Sequence, residues 1–205
     1  AIQPLLRMTG ISKSFPGVKA LESVDFEVGS AEVHAFLGEN GAGKSTLLKI
    51  LSGAQAPDAG QIELNGETIV LDSPQAAQAK GIVTIYQEFT LAPDMTIAEN
   101  VFIGREPGSK LFISRKQLEE QTRVLTNRIG LDRNPRALVR DLSVAEQQMV
   151  EIARALSMKS QLIVMDEPTS ALSRTEVEKL FAIIRSLKRD GITTIFVTHR
   201  LEEVF

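Results

Sequence analysis

A glycine-rich segment separates an apolar run from a helix-forming run early in the chain. It reads Gly38-Glu39-Asn40-Gly41-Ala42-Gly43-Lys44-Ser45-Thr46 and matches the pattern G-x4-G-K-[ST]. Glycines let successive backbone N–H groups curl round an anion without Cβ clashes, and the helix that follows adds the positive end of its dipole. Lys44 can then place its charge on the β- and γ-phosphates of a nucleotide, while Ser45 offers a hydroxyl to Mg²⁺. The pattern predicts a phosphate-binding loop, and a glycine-rich turn without a ligand is the alternative.

Short apolar runs alternate with amphipathic stretches along the rest of the chain. The runs that we expect to be buried strands are Val33–Leu37, 82–86, 162–165 and Thr193–Thr198. Helices are predicted over Lys44–Leu51, about Val144–Ser157 and 175–188. The last of these helices lies between the last two strands, and such a βαβ unit implies a parallel sheet with a right-handed crossover. The pattern therefore predicts an α/β protein with a mainly parallel sheet.

Turn and capping signals add smaller elements to this sheet. Asn65-Gly66 lies between two short apolar stretches, 62–64 and 68–71, and is a strong hairpin signal. We therefore expect antiparallel strands beside the parallel core. The spacing of a helix N-cap occurs in Ser114 with Gln117 and in Ser173 with Glu176.

Two acidic residues, Asp166 and Glu167, end one of the predicted buried strands. Carboxylates at such a position are costly unless they meet a cation or leave the core. Beside a phosphate-binding loop, Asp166 can hold Mg²⁺ through its water shell and Glu167 can polarise the attacking water as a general base. A strand end capped by solvated acids is the alternative, and the nearby phosphate-binding pattern favours the catalytic interpretation.

Composition excludes several classes of protein. Lys plus Arg is 23 and Asp plus Glu is 26, so the formal net charge is −3, which argues against a nucleic-acid binder held by bulk positive charge. The lack of cysteine excludes disulfides, thiolate metal sites and cysteine nucleophiles. No apolar run approaches the roughly 20 residues that cross a bilayer, and the N-terminal residues do not have the pattern of a signal peptide. Any work at a membrane therefore depends on a partner.

Three further motifs follow the phosphate-binding loop. They are Ile85-Tyr86-Gln87-Glu88, Leu142-Ser143-Val144-Ala145-Glu146-Gln147 and Thr198-His199-Arg200. Together with the loop and the acid pair they resemble the glutamine loop, the signature helix and the switch histidine of ATP-binding-cassette (ABC) ATPases, in the order of that family. The resemblance covers essentially all 205 residues. It implies an α/β fold, a P-loop NTPase core with a mainly parallel sheet, an antiparallel β subdomain and an α-helical subdomain at about 89–160.

The amino-acid sequences of the longer motifs are more similar still to one subfamily. The stretches GENGAGKST, YQEFTLAPDMTIAENVFIGRE, LSVAEQQMVEIARAL and MDEPTSAL resemble the ATPases of bacterial ribose-, galactose- and xylose-type sugar importers. Those ATPases are similar to two fused cassettes. The resemblance implies that residues 1–205 are the first cassette, truncated before its last strands, with 201–205 at the start of a helix.

The resemblance also implies how the nucleotide is bound. ATP would be held by all nine residues of the phosphate-binding loop, 38–46, and Phe15 would stack on the adenine. A core phenylalanine on a strand edge is the alternative for Phe15. Ser143, at the start of the signature helix, would bind ATP held by an opposite cassette. Val144 and Ala145 replace the two glycines usual in this motif, which leaves the backbone there less free to approach phosphate.

Metal and catalytic residues follow from the same resemblance. The implied Mg²⁺ ligands are Ser45, Gln87 and Asp166. The implied catalytic residues are Glu167, Lys44, His199 and Gln87, with His199 as a donor to the developing charge on the γ-phosphate. The other histidine, His34, lies within the strand before the phosphate-binding loop and is interpreted as structural.

The implied partners are a second ABC cassette, fused or dimeric, transmembrane permease subunits and, indirectly, a periplasmic or extracellular sugar-binding protein, with no nucleic acid. The chain would then lie peripherally on the cytoplasmic face of the bacterial inner membrane. In the family a groove near residues 89–103 receives a helix of the membrane subunit, and four apolar residues could line it: Leu91, Met95, Ile97 and Val101. Packing within the helical subdomain is the alternative for these four.

Two other functions remain open at this point. A soluble cassette ATPase that acts on ribosomes or DNA would share the core motifs, but such proteins usually carry basic extensions or coiled coils, and none is seen here. A nucleotide-dependent binding module that cannot hydrolyse ATP is disfavoured because Lys44, Glu167 and His199 are all present. None of these residues identifies the sugar.

Overall fold

Two four-stranded sheets, a two-stranded β7–β8 pair and a group of helices make up the described part of the computed structural model, which covers residues 3–38, 43–109 and 112–199. Its strands are β1 (Leu6–Phe15), β2 (Val18–Val28), β3 (Val33–Leu37), β4 (Ala59–Leu64), β5 (Glu67–Ile69), β6 (Ile82–Ile85), β7 (Gly108–Ser109), β8 (Phe112–Ile113), β9 (Leu162–Asp166) and β10 (Thr193–Thr198). Its helices are α1 (Lys44–Leu51), α2 (Pro74–Ala79), α3 (Ile97–Phe102), α4 (Arg115–Arg128), α5 (Val144–Ser157) and α6 (Arg174–Arg189). The α/β class is confirmed.

The central sheet has the strand order β3-β10-β9-β6, and every neighbouring pair in it is parallel. Its last strands form the predicted βαβ unit, with α6 as the crossover helix between β9 and β10. Both faces of the sheet are covered, which explains why its strands are continuous apolar runs. One face packs against α1 and the antiparallel sheet, and the other against α3, α5 and α6.

The second sheet is antiparallel and has the order β2-β1-β4-β5. Its predicted hairpin is confirmed, because β4 and β5 pair across Asn65 and Gly66. Both turn residues have positive φ, 52° and 79°, as a type I′ turn requires. The long β1–β2 hairpin was not predicted.

Three helices, α3, α4 and α5, pack on one another beside the central sheet. They lie within the stretch predicted as a helical subdomain, 89–160, whose independence stays a prediction. Ser114 caps α4 by accepting from the Gln117 N–H at 3.5 Å, so this helix signal is confirmed. Among the described helices, none is long and apolar enough to span a bilayer.

The proposed groove lining is wrong for two of its four residues. Ile97 and Val101 of α3 are 0% exposed and belong to the core beneath the sheet. The reason is that the backbone of α3 is tied to a neighbouring loop, with the Ile97 N–H donating to the Ala137 carbonyl at 2.9 Å. Its apolar face therefore turns inward.

Candidate active site

Parallel pairing brings the ends of four strands to one edge of the central sheet. Leu37 of β3 lies opposite Thr198 of β10, and Val197 of β10 lies opposite Asp166 of β9. On the far side of β9, Ile85 of β6 lies opposite Met165. The segments that follow these strands carry the phosphate-binding loop, His199, Glu167 and Gln87, so they all begin at the same carboxyl edge, where α/β folds bind ligands.

The phosphate-binding loop is anchored at its second half. Gly43, the N-cap of α1, has φ +81°, and a Cβ there would lie 2.6 Å from the Ala20 carbonyl oxygen. Only glycine fits this left-handed, closely approached position. Lys44 is 8% exposed, and its Nζ donates to the Gly38 carbonyl. Four predicted ATP-binding residues, Glu39, Asn40, Gly41 and Ala42, lie outside the described residues.

A cavity of about 180 Å³ lies at this edge. It is lined by Val18, Lys19, Ala20, Gly43, Lys44, Ser45, Thr46, Asp166, Glu167 and Val197. The phosphate-binding loop and the acid pair, which are more than a hundred residues apart in sequence, thus line one concave surface. Two lysines, two hydroxyl side chains and two carboxylates line the same space.

Asp166 has a raised pKa. Burial is the main cause, the neighbouring charge of Glu167 adds to it, and the ammonium of Lys44 opposes both. When burial makes the ionised form of a carboxyl unfavourable, a nearby cation stabilises that form. The described residues contain no cluster of three or more His, Asp or Glu side chains that could enclose a metal by themselves. Asp166 with the Ser45 hydroxyl nevertheless fits Mg²⁺, which takes oxygen ligands and usually keeps several waters and phosphate oxygens.

Glu167 and His199 form a contact across the β9–β10 boundary. The distance between Glu167 Oε1 and His199 Nδ1 is 3.0 Å. The two atoms are within hydrogen-bond distance, and a carboxylate in its ionised form would be the acceptor with Nδ1–H as the donor. Glu167 also has a left-handed backbone, φ +46°, held by its N–H donating to the Val197 carbonyl at 3.0 Å. A strained non-glycine conformation at a site residue fixes where its carboxylate lies.

Gln87 and Phe15 lie near this edge without lining the cavity. Gln87 is exposed and follows β6 by two residues. Phe15 is 40% exposed at the end of β1 and pairs with Val18, which does line the cavity. An exposed aromatic ring at a rim can receive a base, although the pairing alone does not bring it over the phosphate-binding residues.

Ser143 is not brought to the cavity. It lines a separate groove of about 880 Å³ between α5 and α6, together with Met149 and Leu180. Its backbone N–H donates to Glu146 Oε2 at 2.9 Å, and its hydroxyl accepts from the Glu146 N–H at 3.3 Å. Arg133 donates to Glu146 Oε1 at 2.6 Å and, as the largest cause, lowers the pKa of that carboxyl. The Glu146 carboxylate therefore already binds the backbone at the N-terminal end of α5.

Comparison with known proteins identifies the family of these motifs. A model of the family described as ABC transporter matches residues 21–170, well over half of the chain. This chain belongs to the ABC transporter family. The matched stretch includes the phosphate-binding loop, Gln87, Ser143 and the acid pair.

Curated relatives of this cassette are import ATP-binding proteins by name. The ribose import ATP-binding protein RbsA 2 of Streptomyces coelicolor is 54% identical over 200 residues, which cover 98% of this chain and 39% of that protein. A putative ribose/galactose/methyl galactoside import ATP-binding protein of Agrobacterium fabrum is 49% identical, over 98% of this chain and 40% of that protein. The cassette thus spans about two fifths of the length of these relatives.

A solved structure matches the cassette closely in shape. It is the ADP conformation of MJ1267, an ATP-binding cassette of an ABC transporter, with a TM-score of 0.88 and 30% identity. The match covers 98% of this chain and 84% of that one. The P-loop NTPase fold predicted from the motifs is therefore confirmed.

Three cavity residues of the cassette were missed by sequence analysis. Val18, Lys19 and Ala20 come from the start of β2 and close the cavity opposite the phosphate-binding loop. No local signal marks them, because their position depends on the approach of β2 to Gly43. His34 is not among the cavity residues. Its ring packs edge-on against Phe26 at 5.1 Å, in agreement with a structural role.

Proposed function

We propose that this cassette binds ATP with Mg²⁺ at the carboxyl-edge cavity and hydrolyses it to power sugar uptake. The observation that carries the proposal is that parallel register brings Lys44, Asp166 and Glu167 to one cavity with His199 beside it. A cation for the phosphates, an oxygen ligand for a metal and a base for water are the parts that phosphoryl transfer to water requires.

Lys44 and the loop around it bind the phosphates in this proposal. The ammonium of Lys44 and the N-terminal backbone N–H groups of α1 attract the anionic β- and γ-phosphates. Ser45, Thr46 and Gly43 line the same cavity, and the other loop residues, 38–42, are assigned from the motif. Phe15 would stack on the adenine, a contribution that is sequence-tolerant and worth about 1–3 kcal/mol.

Mg²⁺ would be held by the Ser45 hydroxyl, Asp166 and Gln87. When bound, Mg²⁺ would supply positive charge that stabilises the charge developing on the phosphates. Asp166 is suited to this role because burial raises its pKa and a cation would offset that penalty. Gln87, exposed at the same edge, can reach toward the metal or the attacking water.

Glu167 is the proposed general base. It would accept a proton from the attacking water on its carboxylate, while the His199 contact at Nδ1 orients that carboxylate. The left-handed backbone of Glu167 keeps the side chain at the cavity and away from the core. His199 would add positive character beside the γ-phosphate.

A second cassette, fused or dimeric, would complete the site. Ser143 lines a different groove from Lys44, so its proposed contact with phosphate requires a nucleotide held by another cassette. The names of the relatives support a ribose- or galactose-like sugar as cargo. Import of such a sugar would require permease subunits as further partners and, acting through them, a sugar-binding protein. In that assembly the cassette lies peripherally at the cytoplasmic face of the membrane.

MgATP binding and phosphate release test the proposal. Lys44→Ala should weaken the affinity for a fluorescent ATP analogue by about tenfold or more and reduce turnover, because the ammonium contacts phosphate in both ground and transition states. Glu167→Gln keeps the shape of the side chain but removes the base. It should retain MgATP affinity and lower turnover by about 100-fold or more.

Different results would overturn different parts. Unchanged affinity in Lys44→Ala would remove the phosphate-binding role of this loop. Turnover of Glu167→Gln within about threefold of the wild type would remove Glu167 as the base. A wild-type protein that binds MgATP without turnover in its full-length form would be a binding module and not an ATPase.

A further inference from the structure

The segment that carries Gln87 crosses from β6 to α3 and is fastened at its far end. Ala92 donates its N–H to Asn100 Oδ1 at 2.7 Å, and Asn100 Nδ2 donates back to the Ala92 carbonyl at 3.0 Å. Asn100 lies on α3 and is 1% exposed. The reciprocal pair fixes the end of the segment to the first helix beyond it.

A second contact fastens the middle of the segment to a different helix. The Thr90 N–H and the Thr90 hydroxyl both donate to Oε1 of Glu151, at 2.8 and 2.9 Å. Glu151 lies on α5 and is 7% exposed. A buried carboxylate is costly unless its oxygens are hydrogen-bonded, so these two bonds stabilise the position of Glu151 as much as that of Thr90.

Arg154 extends the contact by one more bond. Its Nη1 donates to Thr90 Oγ1 at 3.1 Å, one helical turn beyond Glu151. The Thr90 hydroxyl therefore accepts from a cation and donates to an anion on the same helix. Charge-assisted bonds on both sides of one hydroxyl make its orientation specific.

The same helix begins at Ser143, which precedes Glu151 by eight residues, or about 12 Å along an α-helix. Thr90 follows Gln87 by three residues. We propose that Glu151 is a positioning residue that holds the Gln87 segment on α5, so that Gln87 and Ser143 are placed by one unit. Its effect on turnover rests on the proposed roles of those two residues in ATP hydrolysis.

Loss of this contact should affect turnover and not the first binding of nucleotide. Lys44, Ser45 and Asp166 belong to α1 and β9 and make none of the bonds that hold Thr90. Glu151→Ala removes the one oxygen that accepts both hydrogen bonds from Thr90. Glu151→Gln keeps an amide oxygen at the same place, so it should preserve both bonds.

Amide hydrogen exchange and steady-state kinetics of the full-length protein test the proposal together. In Glu151→Ala the Thr90 amide should exchange about tenfold faster than in the wild type, whereas Glu151→Gln should restore the wild-type rate. In Glu151→Ala, kcat should fall by about tenfold while the KM for ATP changes by less than about twofold. Thr122→Val is the matched control, because Thr122 of α4 is also buried and its hydroxyl donates to the Leu118 carbonyl at 2.7 Å, a bond that does not involve the segment.

Each result decides a separate point. An unchanged Thr90 exchange rate in Glu151→Ala would overturn the contact itself. Faster exchange with kinetics equal to those of Thr122→Val would overturn the positioning role, as would failure of Glu151→Gln to restore kcat. A wild-type protein without ATP turnover would instead contradict the proposed function, and the exchange rates would still decide whether Glu151 holds the segment.

Discussion

Asp166 ends β9 with its carboxyl partly withdrawn from water and beside the charge of Glu167. Both raise its pKa above the usual 3.8, burial being the larger cause. A raised pKa means that ionisation is less favourable in the folded chain than in the unfolded one. The penalty is therefore present above the folded pKa and disappears below the unfolded value. The residue that suits a metal thus weakens the nucleotide-free fold.

Replacement of Asp166 by asparagine should relieve this penalty. Asp166→Asn should raise the Tm of the nucleotide-free protein at pH 7 by about 1–2 °C, a small change because water screens a half-buried group. The gain should shrink toward zero as the pH falls below about 4, where the wild-type carboxyl is protonated too. Calorimetry across this pH range measures it. A Tm at or below that of the wild type at pH 7, or a gain that grows on acidification, would contradict the stated cause.

The placement of side chains at the cavity was predictable where a motif adjoins the end of a predicted strand, whereas their chemical roles stay predictions. Lys44, Asp166 and Glu167 meet this condition, since a buried strand or its following turn fixes where each one points. The contact between Glu167 and His199 was not predictable, because it joins residues 32 apart and depends on the register of β9 with β10. The left-handed backbone of Glu167 has no local sequence signal either.

Elements buried on both faces were the easiest to predict. β3 and β10 have the predicted bounds. A short continuous apolar run between turn signals is typical of a strand that is buried on both faces of a parallel sheet. β1 was missed because bulges shift its register at Ile11 and interrupt the alternation of apolar and polar residues. α2 and α3 have six residues each, too few for a helical period to emerge.

Helix N-caps allow structural and functional effects to be separated. Ser143→Ala and Ser73→Ala each remove an N-cap hydroxyl, of α5 and α2 respectively, and each should cost about 1 kcal/mol of unfolding free energy. Only Ser143→Ala should also lower ATP turnover, by about tenfold or more, because a hydroxyl at the start of α5 is proposed to meet phosphate. Urea denaturation and phosphate release in the full-length protein measure the two effects. Equal turnover in both variants would leave Ser143 with capping alone.

The proposed site residues lie at two separate places on the molecule. Lys44, Ser45, Asp166 and Glu167 surround one cavity, whereas Ser143 lines another groove. Under the proposed function, a single cassette therefore contacts the phosphates from one side only. This one-sidedness could not be deduced from motif order, since the motifs follow one another along the chain as if they formed a single site.

Dilution should reveal the need for a second cassette. The 205-residue chain should bind MgATP as a monomer, and its turnover per chain should rise with protein concentration over about a hundredfold range, because a second-order association precedes hydrolysis. Phosphate release at graded concentrations, with light scattering for the oligomeric state, measures this. A constant turnover per chain in a species shown to be monomeric would refute the two-cassette mechanism.

The strand order gives the central sheet a late and vulnerable step in synthesis. β10 inserts between β3 and β9, although a ribosome makes it after both, and in the described part of the chain β3 has no other partner in its sheet. Until residue 198 has left the exit tunnel, the edge of β3 stays unpaired and can join other chains. Among the described strands, β10 joins the strand before the phosphate-binding loop to the strand that carries the acid pair, so the proposed nucleotide cavity is not yet in register during that interval. Chaperones would therefore be needed most during synthesis of the segment between β9 and β10.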